Sequence, residues 1–270
     1  MNSTTSTIHS PAPAAPRRNL LRLYWLESKF EFLKLLRLPA YSIATLAFPL
    51  MFYLIFGSFY GNFEAQGLRV ATYMVATFAA SGVLSAALFA FGAGVASERG
   101  QGWMRLKRVS PMPPLAYFFA KIAMALLFGL LVVMAVSLAA FLVQGVRIDL
   151  LDWLRLLGVL LLGVFPFAAL GLAFGYLFGP NSAPVVLNLI YMPLAFASGL
   201  WIPIVTLPAF VQNLAVYLPP YHYAQLALGA IGAQPLSGAG QHVLVLAIAT
   251  AVFLALAVWA YRRDEGKTYG

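Results

Sequence analysis

The chain has 270 residues, 62% of them hydrophobic and only 9% charged, with a mean hydropathy of +0.85. A soluble domain carries roughly 25% charged residues, so this chain lacks the polar surface to cover itself against water and reads as an all-α integral membrane protein. Its net charge of +9 must be placed against membrane spans before any nucleic-acid partner is invoked, because cytoplasmic loops collect Lys and Arg; no nucleic acid is expected.

Residues 1–16, rich in Ser, Thr, Pro and Ala, read as a disordered cytoplasmic tail and not as a signal peptide, since no basic n-region precedes an apolar run. Residues 17–38 mix basic and apolar side chains. At 100° per residue Glu27, Glu31 and Lys34 form one charged stripe, while Leu21, Tyr24, Ser28, Phe32 and Leu35 fall on a mostly apolar face; Arg18, Arg22 and Lys29 lie outside both. An amphipathic helix in the membrane interface fits this, with basic side chains reaching lipid phosphates. The plainer alternative is a positive flank that only fixes orientation.

Six transmembrane helices follow within residues 39–261, near 40–60, 68–96, 115–143, 153–178, 184–202 and 242–261. Pro166 and Pro193 predict kinks in the fourth and fifth. Between the fifth and sixth, residues 203–240 are apolar yet broken by Pro203, Pro208, Pro219, Pro220 and Pro235. One continuous spanning helix is excluded there. Two short helices that dip into the outer leaflet and return fit better, packed on the other spans. Residues 262–270 form a second cytoplasmic tail. With six spans, Arg69, Arg147 and Arg155 are the only outer basic residues of 17 Lys and Arg, which puts both termini in the cytoplasm.

From Leu156 to Tyr261 there is no Asp, Glu, Lys or Arg, which removes the usual ion-coupling groups of a secondary transporter. His222 and His242 read as polar anchors near the outer surface. Small residues recur every four positions at Gly82, Ala86, Ala90 and Gly94, and again at Gly171, Gly175 and Gly179. Such stripes let backbones approach, either within the subunit or across a dimer seam. Without cysteine there is no disulfide or thiolate metal site. Gly266-Lys267-Thr268 resembles the end of a phosphate loop, but Tyr261 stands where the motif needs its first Gly. No catalytic residue, bound cofactor or metal is expected, so the chain by itself is not an enzyme.

The cytoplasmic loop 97–114 separates the second and third spans. Within it, Glu98-Arg99-Gly100-Gln101-Gly102-Trp103-Met104-Arg105-Leu106-Lys107-Arg108-Val109-Ser110-Pro111 resembles the loop motif of ABC-2-type exporter permeases, particularly the drug-resistance branch. Ser198-Gly199-Leu200-Trp201-Ile202-Pro203, followed by Leu207-Pro208, Leu218-Pro219 and Tyr221, is similar to that family's box before the last span. The resemblance implies an inner-membrane permease whose coupling helix, within Arg99–Val109, docks on a separate nucleotide-binding ATPase. It also implies two ATPase copies that hold ATP and Mg²⁺, and a second permease chain. Arg105, Lys107 and Arg108 would pair with acidic residues there, and Trp103, Met104 and Leu106 would fill an apolar pocket; the plainer reading is a headgroup anchor with orientation charges. Glu98 would cap the helix start or pair with the ATPase, and Gly102 belongs to the same motif. An uncharged path suits hydrophobic or amphipathic cargo. A polysaccharide permease, a nucleotide-independent scramblase or channel, and an anchoring protein remain as alternatives.

Overall fold

The computed structural model describes residues 20–36, 39–65, 68–104, 113–235 and 238–265, and the chain is mostly helical. In chain order the elements are α1 (Leu20–Leu36), α2 (Pro39–Tyr60), a two-stranded hairpin of β1 (Glu64–Ala65) and β2 (Leu68–Arg69), α3 (Val70–Gly100) and α4 (Pro114–Gln144). Then come α5 (Leu150–Leu162), α6 (Val164–Leu177), α7 (Ala183–Ala197), α8 (Ala209–Ala215), α9 (Pro219–Ala230) and α10 (Ala239–Glu265). Four segments among the described residues are long and apolar enough to cross a membrane: α3, α4, the pair α5–α6, and α10. The apolar helices α2 and α7 add shorter segments. At 15 residues, α7 rises only about 22 Å, less than a ~30 Å hydrocarbon core. It also stops earlier than the fifth predicted span, at Ala197.

α3 is the axis of the fold. Its sequence alternates Ala and Gly with a few large side chains, so neighbours close on it from several sides, and α2, α4, α6, α7 and α9 all pack against it. A side chain added at Gly82 would strike Val132 of α4 and Pro49 of α2. At Gly171 a Cβ would lie 2.5 Å from the Leu88 carbonyl, and at Gly175 it would lie 2.8 Å from that of Phe91. These stripes therefore serve contacts within one chain. Ala86 and Ala90 are buried on α3, whereas Gly94 faces the Lys121 ammonium and Gly179 has open space beyond Ser182.

The fourth predicted span is interrupted at Gly163, in the turn before Pro166, which has no N–H to offer the Leu162 carbonyl. The ring of Tyr223 from α9 occupies the space where a Cβ at position 163 would stand, and its hydroxyl donates to the Leu160 carbonyl at 2.8 Å. α7 continues as one helix through Pro193, whereas the bend before Pro166 also receives an aromatic ring.

In the region before the last span each of three prolines starts an element. Pro203 precedes a 3₁₀ turn, Pro208 caps α8, and Pro219 opens α9, as a residue with no N–H to offer should. Ser198 is buried, and Gly199 takes φ +77° while the Leu200 amide reaches back to the Ala195 carbonyl, which closes α7. Trp201 donates to Ser81 Oγ at 2.7 Å, and that hydroxyl also meets the Tyr191 hydroxyl at 2.7 Å. Near the start of α9, His222 and His242 share an Nδ1–Nδ1 hydrogen bond of 2.7 Å, with the Tyr221 ring beside both. His222 also donates Nε2–H to the Val216 carbonyl. The histidine pair ties α9 to α10.

Gly171→Ala should lower stability by about 1–3 kcal/mol, the usual cost of overpacking, because α3 and α6 must separate. Gly158→Ala, on the exposed side of α5 with nothing within 4 Å, should leave it unchanged or raise it. Thermal unfolding in detergent compares the two.

Candidate coupling surface at the end of α3

α3 ends at Gly100, and Gly102 adopts φ +76°, a conformation that favours glycine. The chain turns there and a helix begins again at Trp103 and Met104. Trp103 is about half exposed (51%), with its indole N–H on Gln101 Oε1 at 3.1 Å; Gln101 in turn donates to Ser97 Oγ at 2.9 Å. Met104 turns inward against the cluster of Val95, Tyr117, Tyr176 and Ala260. Of the two described apolar anchors, Trp103 alone projects outward. Arg105, Leu106, Lys107 and Arg108 lie outside the described residues.

Glu98 and Arg99, adjacent in sequence, face opposite sides of the last turn of α3. Neither lies on an open surface. Glu98 receives hydrogen bonds from Lys121 of α4 (3.0 Å), from Lys34 of α1, and from the Tyr117 hydroxyl (2.6 Å). Glu31 of α1 binds the same two lysines, Lys121 at 2.8 Å and Lys34 at 3.0 Å. Two carboxylates and two ammoniums thus form one neutral quartet. The side chains of Lys121, Glu31 and Glu98 are all under a tenth exposed, while Lys34 opens to water at 41%. Gly94 leaves room for the Lys121 head, 3.6 Å from where its Cβ would be. The two roles expected for Glu98, a helix cap or a bond to another subunit, give way to this internal network.

Arg99 makes the second cluster. Its Nε donates to Asp264 at the end of α10 at 2.9 Å and its NH2 forms a further ion pair with that carboxylate. The same guanidinium donates to the Gly175 and Phe178 carbonyls at 2.5 and 3.3 Å and lies over the Tyr176 ring. These carbonyls are the unsatisfied end of α6, where a cation is favoured.

Lys121, Glu31, Lys34, Tyr117, Tyr176 and Asp264 were not legible as site residues from motif matching. A signal for Lys121 does exist: it stands about two turns inside an apolar helix, where an ionisable group needs a named partner. The stripe of Glu27, Glu31 and Lys34, read as the polar side of an interfacial helix, brings Glu31 and Lys34 to this network instead. Leu21, Trp25 and Phe30 are among the exposed side chains of α1.

Burial alone would raise the Glu31 carboxyl, but the Lys121 ammonium overcomes it and holds the group below its ordinary 4.5. Burial would lower Lys34, and the Glu98 carboxylate instead keeps it above 10.5. A depressed carboxyl stabilises the fold above its unfolded value, and that contribution disappears as pH falls through the folded one. Acidification from about pH 5 downward should therefore destabilise the protein, and Glu31→Gln should flatten that loss in a pH series of melting curves. Lys121→Met should cost about 3–5 kcal/mol, because two buried carboxylates lose their shared cation. Lys34→Gln, at the wet edge, should cost no more than about 1 kcal/mol.

Residues 22–231 match the family described as ABC-2 type transporter. The Bacillus subtilis (strain 168) protein named "Putative transport permease YvfS" is 25% identical over 241 residues, which cover 88% of this chain and 97% of the relative. Together with the four apolar segments, these likenesses identify a multi-pass component of a transmembrane transporter. The chain belongs to the ABC-2 type transporter family, as one of its permease subunits.

Proposed function

We infer that this chain is the translocating subunit of an ATP-driven exporter in the cytoplasmic membrane, powered by a separate ATPase that grips the segment beginning at Trp103. One observation carries the reading. At the foot of the most buried helix, a glycine turn presents a half-exposed tryptophan, held by Gln101, beside two internal ion clusters. Exposed aromatic side chains backed by a rigid support are what interface anchors require. The basic residues Arg105, Lys107 and Arg108 come directly after it in sequence and suit an acidic partner surface.

In this reading α2, α3, α4, α5–α6, α7 and α10 are six crossings, with α8 and α9 returning within the outer leaflet and both termini cytoplasmic. Two permease chains and two ATPase chains form the unit, and ATP with Mg²⁺ resides on the ATPase. The absence of Asp, Glu, Lys and Arg from Leu156 to Tyr261 supports a hydrophobic or amphipathic cargo, such as a natural product or a lipid-like molecule. The transport permease name of the Bacillus relative agrees with a transport role.

Extraction from the native membrane in mild detergent should bring down a protein with a nucleotide-binding fold, while the isolated chain hydrolyses no ATP. Replacing Trp103 and Leu106 together with Ala should weaken that association by 10-fold or more, equivalent to about 1.4 kcal/mol. An unchanged complex would remove the docking role, and a wild-type preparation without any ATPase would remove the exporter reading.

A further inference from the structure

The adjacent residues Glu98 and Arg99 bind four different helices. Glu98 holds α1 through Lys34 and α4 through Lys121 and Tyr117. Arg99 holds α6 through its terminal carbonyls and α10 through Asp264. A few residues further on, the chain emerges at Gly102 and Trp103. A displacement of the Trp103 segment reaches the last turn of α3 along the chain and the Tyr117, Tyr176 and Ala260 cluster through Met104; from that last turn two separate charged routes lead into the bundle. Because these ions are largely withdrawn from water, partner exchange is costly, and the ties move as units. Apolar contacts between the same helices could slide; charge-assisted hydrogen bonds of 2.5–3.0 Å fix direction as well as distance.

We propose that Glu98 and Arg99 are positioning residues that divide the ATPase stroke: Glu98 delivers it to α1 and α4, and Arg99 delivers it to α6 and α10. This rests on the exporter reading above. It assigns the motif's two charged residues to transmission inside the permease and leaves contact with the ATPase to Trp103 and the basic residues after it.

The chain contains no cysteine, so introduced thiols report alone. Nitroxide labels are placed at Phe59→Cys with Leu142→Cys, and at Phe59→Cys with Leu244→Cys. All three positions are exposed, and they lie on α2, α4 and α10. Distances are measured by pulsed electron resonance in the ATPase-bound protein, without nucleotide and after trapping with ATP and vanadate. In the wild-type background both distances should shift by about 2 Å or more, the scale of helix movements in switching proteins. Glu98→Gln should abolish the 59–142 shift and spare the 59–244 shift; Arg99→Gln should do the reverse. Lys121→Gln, which removes the ammonium that ties Glu98 to α4, and Asp264→Asn, which removes the carboxylate that ties Arg99 to α10, repeat the two arms from the other side of each contact.

Shifts that survive in all four variants, that vanish together in any of them, or that are missing from the wild-type background would overturn the division of the stroke. A wild-type chain that carries no ATPase would instead overturn the exporter reading beneath it.

Discussion

Most of the fold rests on the neutralisation of charge inside an apolar bundle. An isolated ion moved out of water loses many kilocalories per mole of solvation, and only close partners with satisfied hydrogen bonds offset that loss. Here Glu31 and Glu98 share Lys34 and Lys121, and Arg99 combines a carboxylate with the open carbonyls of a helix end. Each cluster is balanced within the chain. None of its helices can leave without stranding a charge, so α1, α3, α4, α6 and α10 are held in one arrangement at the end of the bundle where α3 finishes.

Along the rest of their length these helices meet mainly by apolar contact. Lipid offers apolar side chains no reason to leave it, so association between spans depends on closeness of packing. α3 meets that need with small residues: Gly82 admits α2 and α4, and Gly92 lies against Leu187 of α7 and the backbone of α6. Ser81, a buried polar group on this helix, is bonded to both Tyr191 and Trp201. Charged ties at the Glu98 end and mainly apolar packing along the length, with single bonds such as those of Ser81 and the histidine pair, make the Glu98 end the more firmly fixed.

The helical class, the order of the apolar runs and the break before the last span were legible because they depend on local chemistry: run length, Gly spacing, and prolines that cannot continue a helix. Pro208 and Pro219 begin helices as such residues should. What was not legible depends on pairs far apart in sequence. Glu31 meets Lys121 across 90 residues, and Arg99 meets Asp264 across 165. Helical periodicity places Glu31 on a polar stripe but cannot say which neighbour that stripe faces. The interruption at Gly163 falls in the turn before Pro166, where the sequence predicts a kink, but the Tyr223 ring that fills the space beside it comes from a distant part of the chain.

That aromatic ring has a consequence for how the molecule is assembled. The space it fills beside position 163 is available only because Gly163 has no side chain, and its hydroxyl bonds to the Leu160 carbonyl, an oxygen with two lone pairs to offer. A side chain at position 163 and a seated α9 therefore compete for one space. Pro166 already prevents the fourth apolar run from completing its own ladder at this point, so the run is bent where the ring arrives. The bend and the seat for α9 thus coincide: a local feature, the proline, opens the angle, and a distant one, the Tyr223 ring, fills it.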